Sequence, residues 1–264
     1  MRAQSWPSLS RGTCRFFCLA VALVLFTGGL YLFTGNDDNP SSRFVNERSS
    51  HESAGSGNYL YQNVVISPLM NGNDASHERE HASVIAAAMD SQNPVTRDFA
   101  VSIIPHAHGG AFNAAQVCDL WENVYSRWTY VEDPAGGDYL SPASRTITLG
   151  LKGDCDDFAV VVAAIIGSVG GDTRIVYARN GTAGHAYPEV FIGTTREESE
   201  AAAAYIRERY GVADVGIHGT RDGAVTRYWL NLDWWSSHPG GQFFADDGER
   251  TVYYPDGRWE RVGS

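Results

Sequence analysis

Residues Val160 to Ile166 form an unbroken apolar run, and Gly153-Asp154-Cys155-Asp156-Asp157-Phe158-Ala159 leads straight into it. A helix that is apolar on every side must be enclosed by other elements, so the fold has to be built around this segment. The same pattern sets Cys155 in the first turn, where unpaired backbone N–H groups and the macrodipole favour an anion. The thiolate, not the thiol, is the nucleophile. His185 follows thirty residues on, in His-Ala-Tyr-Pro-Glu-Val-Phe-Ile, and Asp233 ends the strand-like Tyr-Trp-Leu-Asn-Leu. Cys, His and Asp on a helix start and two strands suit nucleophilic acyl chemistry.

Ahead of this helix the pattern is helical. Ser76 is the expected N-cap of a first helix with an apolar stripe of Val84, Ile85, Ala88 and Met89. Pro94 suits the first position of a second helix reaching about Ile104. A third is expected from about Asn113 to Trp128, with Val117, Leu120, Trp121, Val124, Tyr125 and Trp128 on one face. The stretch 133–153 reads as a loop. After Gly170-Gly171 the period changes to two, with strands expected at Thr173–Arg179, His185–Ile192 and Tyr228–Leu232. Thr195 to Tyr210 reads as a surface helix, and a final hairpin is expected around Pro255-Asp256-Gly257. Helices first and strands later, joined by short turns, predict an α+β fold with an antiparallel sheet.

Phe16 to Thr34 carries no charge, a length that just spans a bilayer core of ~30 Å. Arg2, Arg11 and Arg15 precede it, and Asp37 and Asp38 follow. The expected topology is a cytoplasmic 1–15, a single-pass anchor 16–34 and everything later outside the cytoplasm; a cleaved signal peptide is the alternative. Residues 35–75, polar at first, are expected to be a flexible stalk, with Tyr59–Ile66 a short extended entry into the domain. Beyond residue 35 there are 31 acidic residues against 17 basic ones, a formal charge of −14. With no basic patch, nucleic acid is excluded as a partner. Cys14 and Cys18 fall at or in the apolar segment, and a Cys118–Cys155 bridge would consume the candidate nucleophile, so no disulfide framework is expected. Cys118 reads as a small core residue.

Gly-Asp-Cys-Asp-Asp-Phe-Ala, His-Ala-Tyr-Pro-Glu-Val-Phe and Leu-Asn-Leu-Asp-Trp together resemble the transglutaminase-like superfamily of cysteine-dependent acyl enzymes. The resemblance runs from about Val124 to Trp235. It implies a papain-like core in 129–264, with a helical part at 76–128, and a Cys-bearing helix packed on the sheet. It further implies Cys155 as nucleophile, His185 as base and acid, and Asp233 as the residue orienting the imidazole. Asn231, on the same strand face, is the alternative to Asp233. Two departures stand out: residues 194–223 read as an insertion, and three carboxylates crowd the thiol. The expected activity is cleavage or transfer of amide bonds in a protein or peptide, with no metal or cofactor. Asp154, Asp156 and Asp157 read as complements of the helix dipole rather than metal ligands.

Two rival readings remain. The first is a non-catalytic binding or assembly domain on the same fold. The second is a zinc hydrolase, because His77-Glu78-Arg79-Glu80-His81 satisfies the H-E-x-x-H pattern. A solvated helix start accounts for those five residues equally well.

Overall fold

The computed structural model describes residues 64–66, 75–133, 138–181 and 183–263. In chain order these form β1 (Val64–Ile66), α1 (Ala75–Ala88), α2 (Pro94–Ile103), α3 (Ala114–Arg127), β2 (Thr129–Tyr130), β3 (Asp138–Leu140), α4 (Ala143–Thr148), β4 (Lys152–Gly153) and α5 (Cys155–Ser168). There follow β5 (Thr173–Asn180), β6 (Ala183–Gly193), α6 (Arg196–Tyr210), β7 (Ile217–Asp222), β8 (Val225–Asn231), β9 (Glu249–Tyr253) and β10 (Trp259–Gly263). The fold is α+β, with helices leading and strands following.

Local chemistry sets most boundaries. Asn93 caps α2 by accepting the Val95 N–H at 3.0 Å, with Pro94 at the first position. Asn113 caps α3 through the Gln116 N–H at 3.1 Å. Thr195 and Glu198 form a capping box on α6, which ends at Gly211 in the left-handed region.

Strands β10-β9-β5-β6-β8-β7 make one antiparallel sheet. Its α5-facing side contributes Ile175, Ala186, Val190, Ile192, Leu230 and Leu232 to the main core, together with the apolar run of α5. The run is fully enclosed, as its composition requires: every residue from Phe158 to Ile166 is buried. The other side carries Val176, Ala178, Tyr187 and Val252 under Phe243 and Phe244.

Several expectations need correction. The 133–153 loop contains β3, α4 and β4; α4 is short and follows Pro142, whose carbonyl accepts the Arg145 N–H. Residues 194–223, read as an insertion, hold the expected helix as α6 and also the unexpected β7, the outer strand paired along β8. Ser76 lies inside α1 rather than capping it. Val64–Ile66, the end of the expected extended entry Tyr59–Ile66, is a strand that pairs antiparallel with β3. Among the described residues no helix is long and apolar enough to cross a membrane. The expected anchor 16–34, and most of the stalk, lie outside the described residues.

Candidate active site

The short parallel pair β2–β4 puts Tyr130 opposite Gly153, and the Val131 N–H donates to the Gly153 carbonyl at 2.9 Å. This fixes the chain just before α5. Gly153 is required there, because a Cβ would lie 2.1 Å from Asp157 Oδ2. Asp154 occupies the N-cap position, yet its side chain makes no capping bond. The Asp157 carboxylate accepts instead from the Ser141 N–H at 3.1 Å. The carboxylates thus do more than face a helix dipole, which corrects the simpler reading of them.

Cys155 is half-buried at the first position of α5, and the backbone N–H of Ala186 donates to its sulfur. The thiol therefore meets β6 immediately beside His185. Burial pushes its pKa up to about 12, reinforced by Asp156 and Asp154, and the Ala186 N–H opposes the rise. Desolvation and two anions outweigh the helix N-terminus, so the isolated thiol rests protonated.

His185 is buried at the start of β6, on the strand face shared with Tyr187 and Glu189. Its Nε2 lies 2.8 Å from Asp233 Oδ2, and Asp233 is 1 % exposed. The other oxygen of Asp233 accepts the Trp235 N–H at 3.1 Å. With Nε2 engaged, Nδ1 is the nitrogen left for proton transfer. Asn231 is equally buried, but its amide meets the Asp233 N–H and the carbonyls of Gly241 and Gln242. The carboxylate that meets the imidazole is Asp233's.

Aromatic side chains surround this pair. Tyr130 stacks on Trp234 at 5.4 Å, and Trp234 meets Trp235 at 5.7 Å. Trp235 stands edge-on to His185 at 6.3 Å and is 70 % exposed. Phe244 lies 5.1 Å from the His185 ring on another side. A signal existed in the Trp pair directly after Asp233. Tyr130 comes near Cys155 only through the β2–β4 pairing.

The zinc-type trio does not form a site. Glu78 is buried and spends both oxygens, accepting from the Tyr253 hydroxyl at 2.5 Å and from Arg261 at 3.0 Å. His81 is also buried, which lowers its pKa, and its ring sits edge-on to His77 at 4.2 Å. The expected solvated helix start is instead a docked one. Among the described residues the group spaced to hold a metal is Asp154, Asp156 and Asp157, whose ligand oxygens lie within 4.8 Å of one another. Cys118 is fully buried, and burial pushes its thiol up to about 12.

Residues 99–211 match the transglutaminase-like superfamily. The matched segment contains Cys155 and His185 and ends before Asp233. No curated protein matches the chain in sequence. Among solved structures, a candidate cysteine protease from Cytophaga hutchinsonii aligns over 74 % of this chain at 13 % identity and a TM-score of 0.37. This chain spans 56 % of that protein's length. Calcium-bound LapG of Legionella pneumophila aligns over 61 % of this chain and 75 % of its own, at 20 % identity and a TM-score of 0.32. These likenesses are distant, and the reading of the site rests on its own geometry.

Proposed function

We propose that the chain is a cysteine-dependent acyl enzyme that cleaves amide bonds in a protein or peptide substrate. The observation that carries this reading is the buried His185–Asp233 pair beside a half-buried thiol that touches the backbone of residue 186. Asp233 holds the imidazole by Nε2, which leaves Nδ1 to take the Cys155 proton. The thiolate attacks the amide carbonyl, and the tetrahedral oxyanion is met by the Cys155 backbone N–H at the helix N-terminus. The imidazolium gives its proton to the leaving amine, the C–N bond breaks and a thioester remains. His185 then takes a proton from water as the water attacks the thioester, and the thiol departs with that proton. The uncharged 16–34 segment supports an anchored, extracytoplasmic placement for the domain.

The acidic cluster fits a hard divalent cation such as calcium, which takes carboxylate oxygens. Asp154 Oδ1 is buried without a hydrogen-bond partner among the described residues, and burial pushes the Asp157 carboxyl up to about 7. Asp154, Asp156 and Asp157 would hold the ion. Its positive charge would offset the two carboxylates that raise the Cys155 pKa.

The test is alkylation of Cys155 by iodoacetamide against pH, read by intact mass, in wild type, Cys155→Ala and His185→Ala. A folded-state reaction that Cys155→Ala abolishes and His185→Ala slows or displaces in pH is the expected result. Reaction of Cys155 only on unfolding would remove the enzyme reading and leave the non-catalytic binding domain.

A further inference from the structure

We infer that Asn231 is a positioning residue for the His185–Asp233 pair, setting the carboxylate and one flank of the imidazole together. The inference rests on the reading of that pair as catalytic. Asn231 closes β8 and is completely buried. Its Oδ1 accepts the Asp233 N–H at 3.0 Å, and its Nδ2 donates to the Gly241 carbonyl at 3.0 Å and the Gln242 carbonyl at 3.3 Å. Both amide protons are thereby used. Its backbone is engaged as well: the N–H donates to the Gly216 carbonyl at 3.0 Å, and the carbonyl accepts the Gly240 N–H at 2.6 Å. One residue therefore joins three passes of chain: the approach to β7, the end of β8 and the return through 240–242.

The side-chain bonds lead to two neighbours of the His185 ring. Through the Asp233 N–H, Asn231 fixes the backbone from which the carboxylate reaches Nε2 at 2.8 Å. Through Gly241 and Gln242 it fixes the approach to Phe243 and Phe244, and the Phe244 ring lies 5.1 Å from His185. The return path has little lateral freedom. A Cβ on Gly241 would lie 1.8 Å from the Ser236 Cβ, and one on Gly240, whose φ is +73°, would lie 2.5 Å from Val215 Cγ1. Glycine determines where the loop runs, and the Asn231 amide determines how it seats against Asp233. An ionised aspartate in its place accepts but does not donate. It would keep the Asp233 contact while setting a second carboxylate against two carbonyls.

The experiment compares wild type with Asn231→Asp and the milder Asn231→Ser in the purified protein, with circular dichroism confirming folding. The readouts are the 15N resonances of the His185 imidazole across pH and the pH profile of Cys155 alkylation. In either folded variant the His185 titration midpoint is expected to move by about half a pH unit or more. Alkylation at neutral pH is expected to fall about tenfold. A folded Ser variant with the wild-type His185 titration and alkylation profile would overturn the inference and leave Asn231 a purely structural residue. The imidazole resonances report on the His185–Asp233 pair even if Cys155 is inert. Failure of this inference and failure of the acyl-enzyme reading are therefore separable.

Discussion

Trp121 on α3 donates its indole N–H to the carbonyl of Leu232 at 2.8 Å, 111 residues further along the chain. The next residue is Asp233. The same indole stands edge-on to Phe158, in the first turns of α5, at 6.5 Å. One side chain in the helical half thus touches both the strand end that carries the carboxylate and the helix that carries the thiol. Trp121 and Leu232 are both buried.

Trp121→Phe should therefore cost more than its lost area. It leaves a buried carbonyl without a partner and a partly filled cavity, together about 2–4 kcal/mol. Urea unfolding measures this directly. The Cys155 alkylation rate should change in the same variant, because Leu232 sets the backbone just ahead of Asp233.

Asp157 predicts a pH-dependent stability with a defined sign. Its folded pKa, raised by burial to about 7 from an ordinary 3.8, means that folding favours the protonated carboxyl. The associated stability is fully present below about pH 4 and is lost as pH rises through about 7. The effect is on the order of 4 kcal/mol at most across that window. Asp157→Asn keeps an oxygen for the Ser141 N–H and removes the charge. In chelator, its melting temperature should exceed wild type at pH 8 and match it near pH 4.

Calcium should reverse that penalty if the three carboxylates hold it. Millimolar CaCl2 should raise the wild-type melting temperature and shift Cys155 alkylation to lower pH, and chelator should undo both. The double variant Asp154→Asn with Asp156→Asn should respond to neither. An unchanged wild-type melting curve would exclude the ion.

The contact between Glu78 and Tyr253 gives a prediction away from the site. Tyr253→Phe removes a hydroxyl that Glu78 accepts from in the interior, and should destabilise by about 1–3 kcal/mol. Cys155 alkylation in the folded variant should stay at the wild-type rate. His81→Ala should leave that rate unchanged as well, and metal analysis of the wild type should find no zinc.

The legible parts of this chain were those governed by local rules. The apolar run after Cys155, the Asn and Pro at the starts of α2 and α3, and the turn before β10 each announce themselves over a few residues. Elements that depend on distant partners did not. β7 is Ile-His-Gly-Thr-Arg-Asp, polar and half-exposed as an outer strand, and only its pairing with β8 makes it one. α4 is six residues long, too short for a periodic signal. Glu78 looked solvent-facing because Tyr253 and Arg261 lie more than 170 residues away. At the site, Cys155, His185 and Asp233 stood out as residue types in order. Tyr130, the Ala186 N–H and the clamp of Asn231 are products of folding, invisible until β2 meets β4 and the 240–242 return meets β8.

The Glu78–Tyr253 and Glu78–Arg261 contacts also give the domain a mechanical character. They join its first helix to its last two strands, so a load on α1 reaches β9 and β10 by this route. Those strands lie at one end of the sheet order, separated by β5 from β6, where His185 sits. A pull strong enough to part Glu78 from its partners would peel that end before it disturbed the β6–β8 junction. The sheet is so arranged that the edge holding α1 can fray while the His185–Asp233 pair stays together.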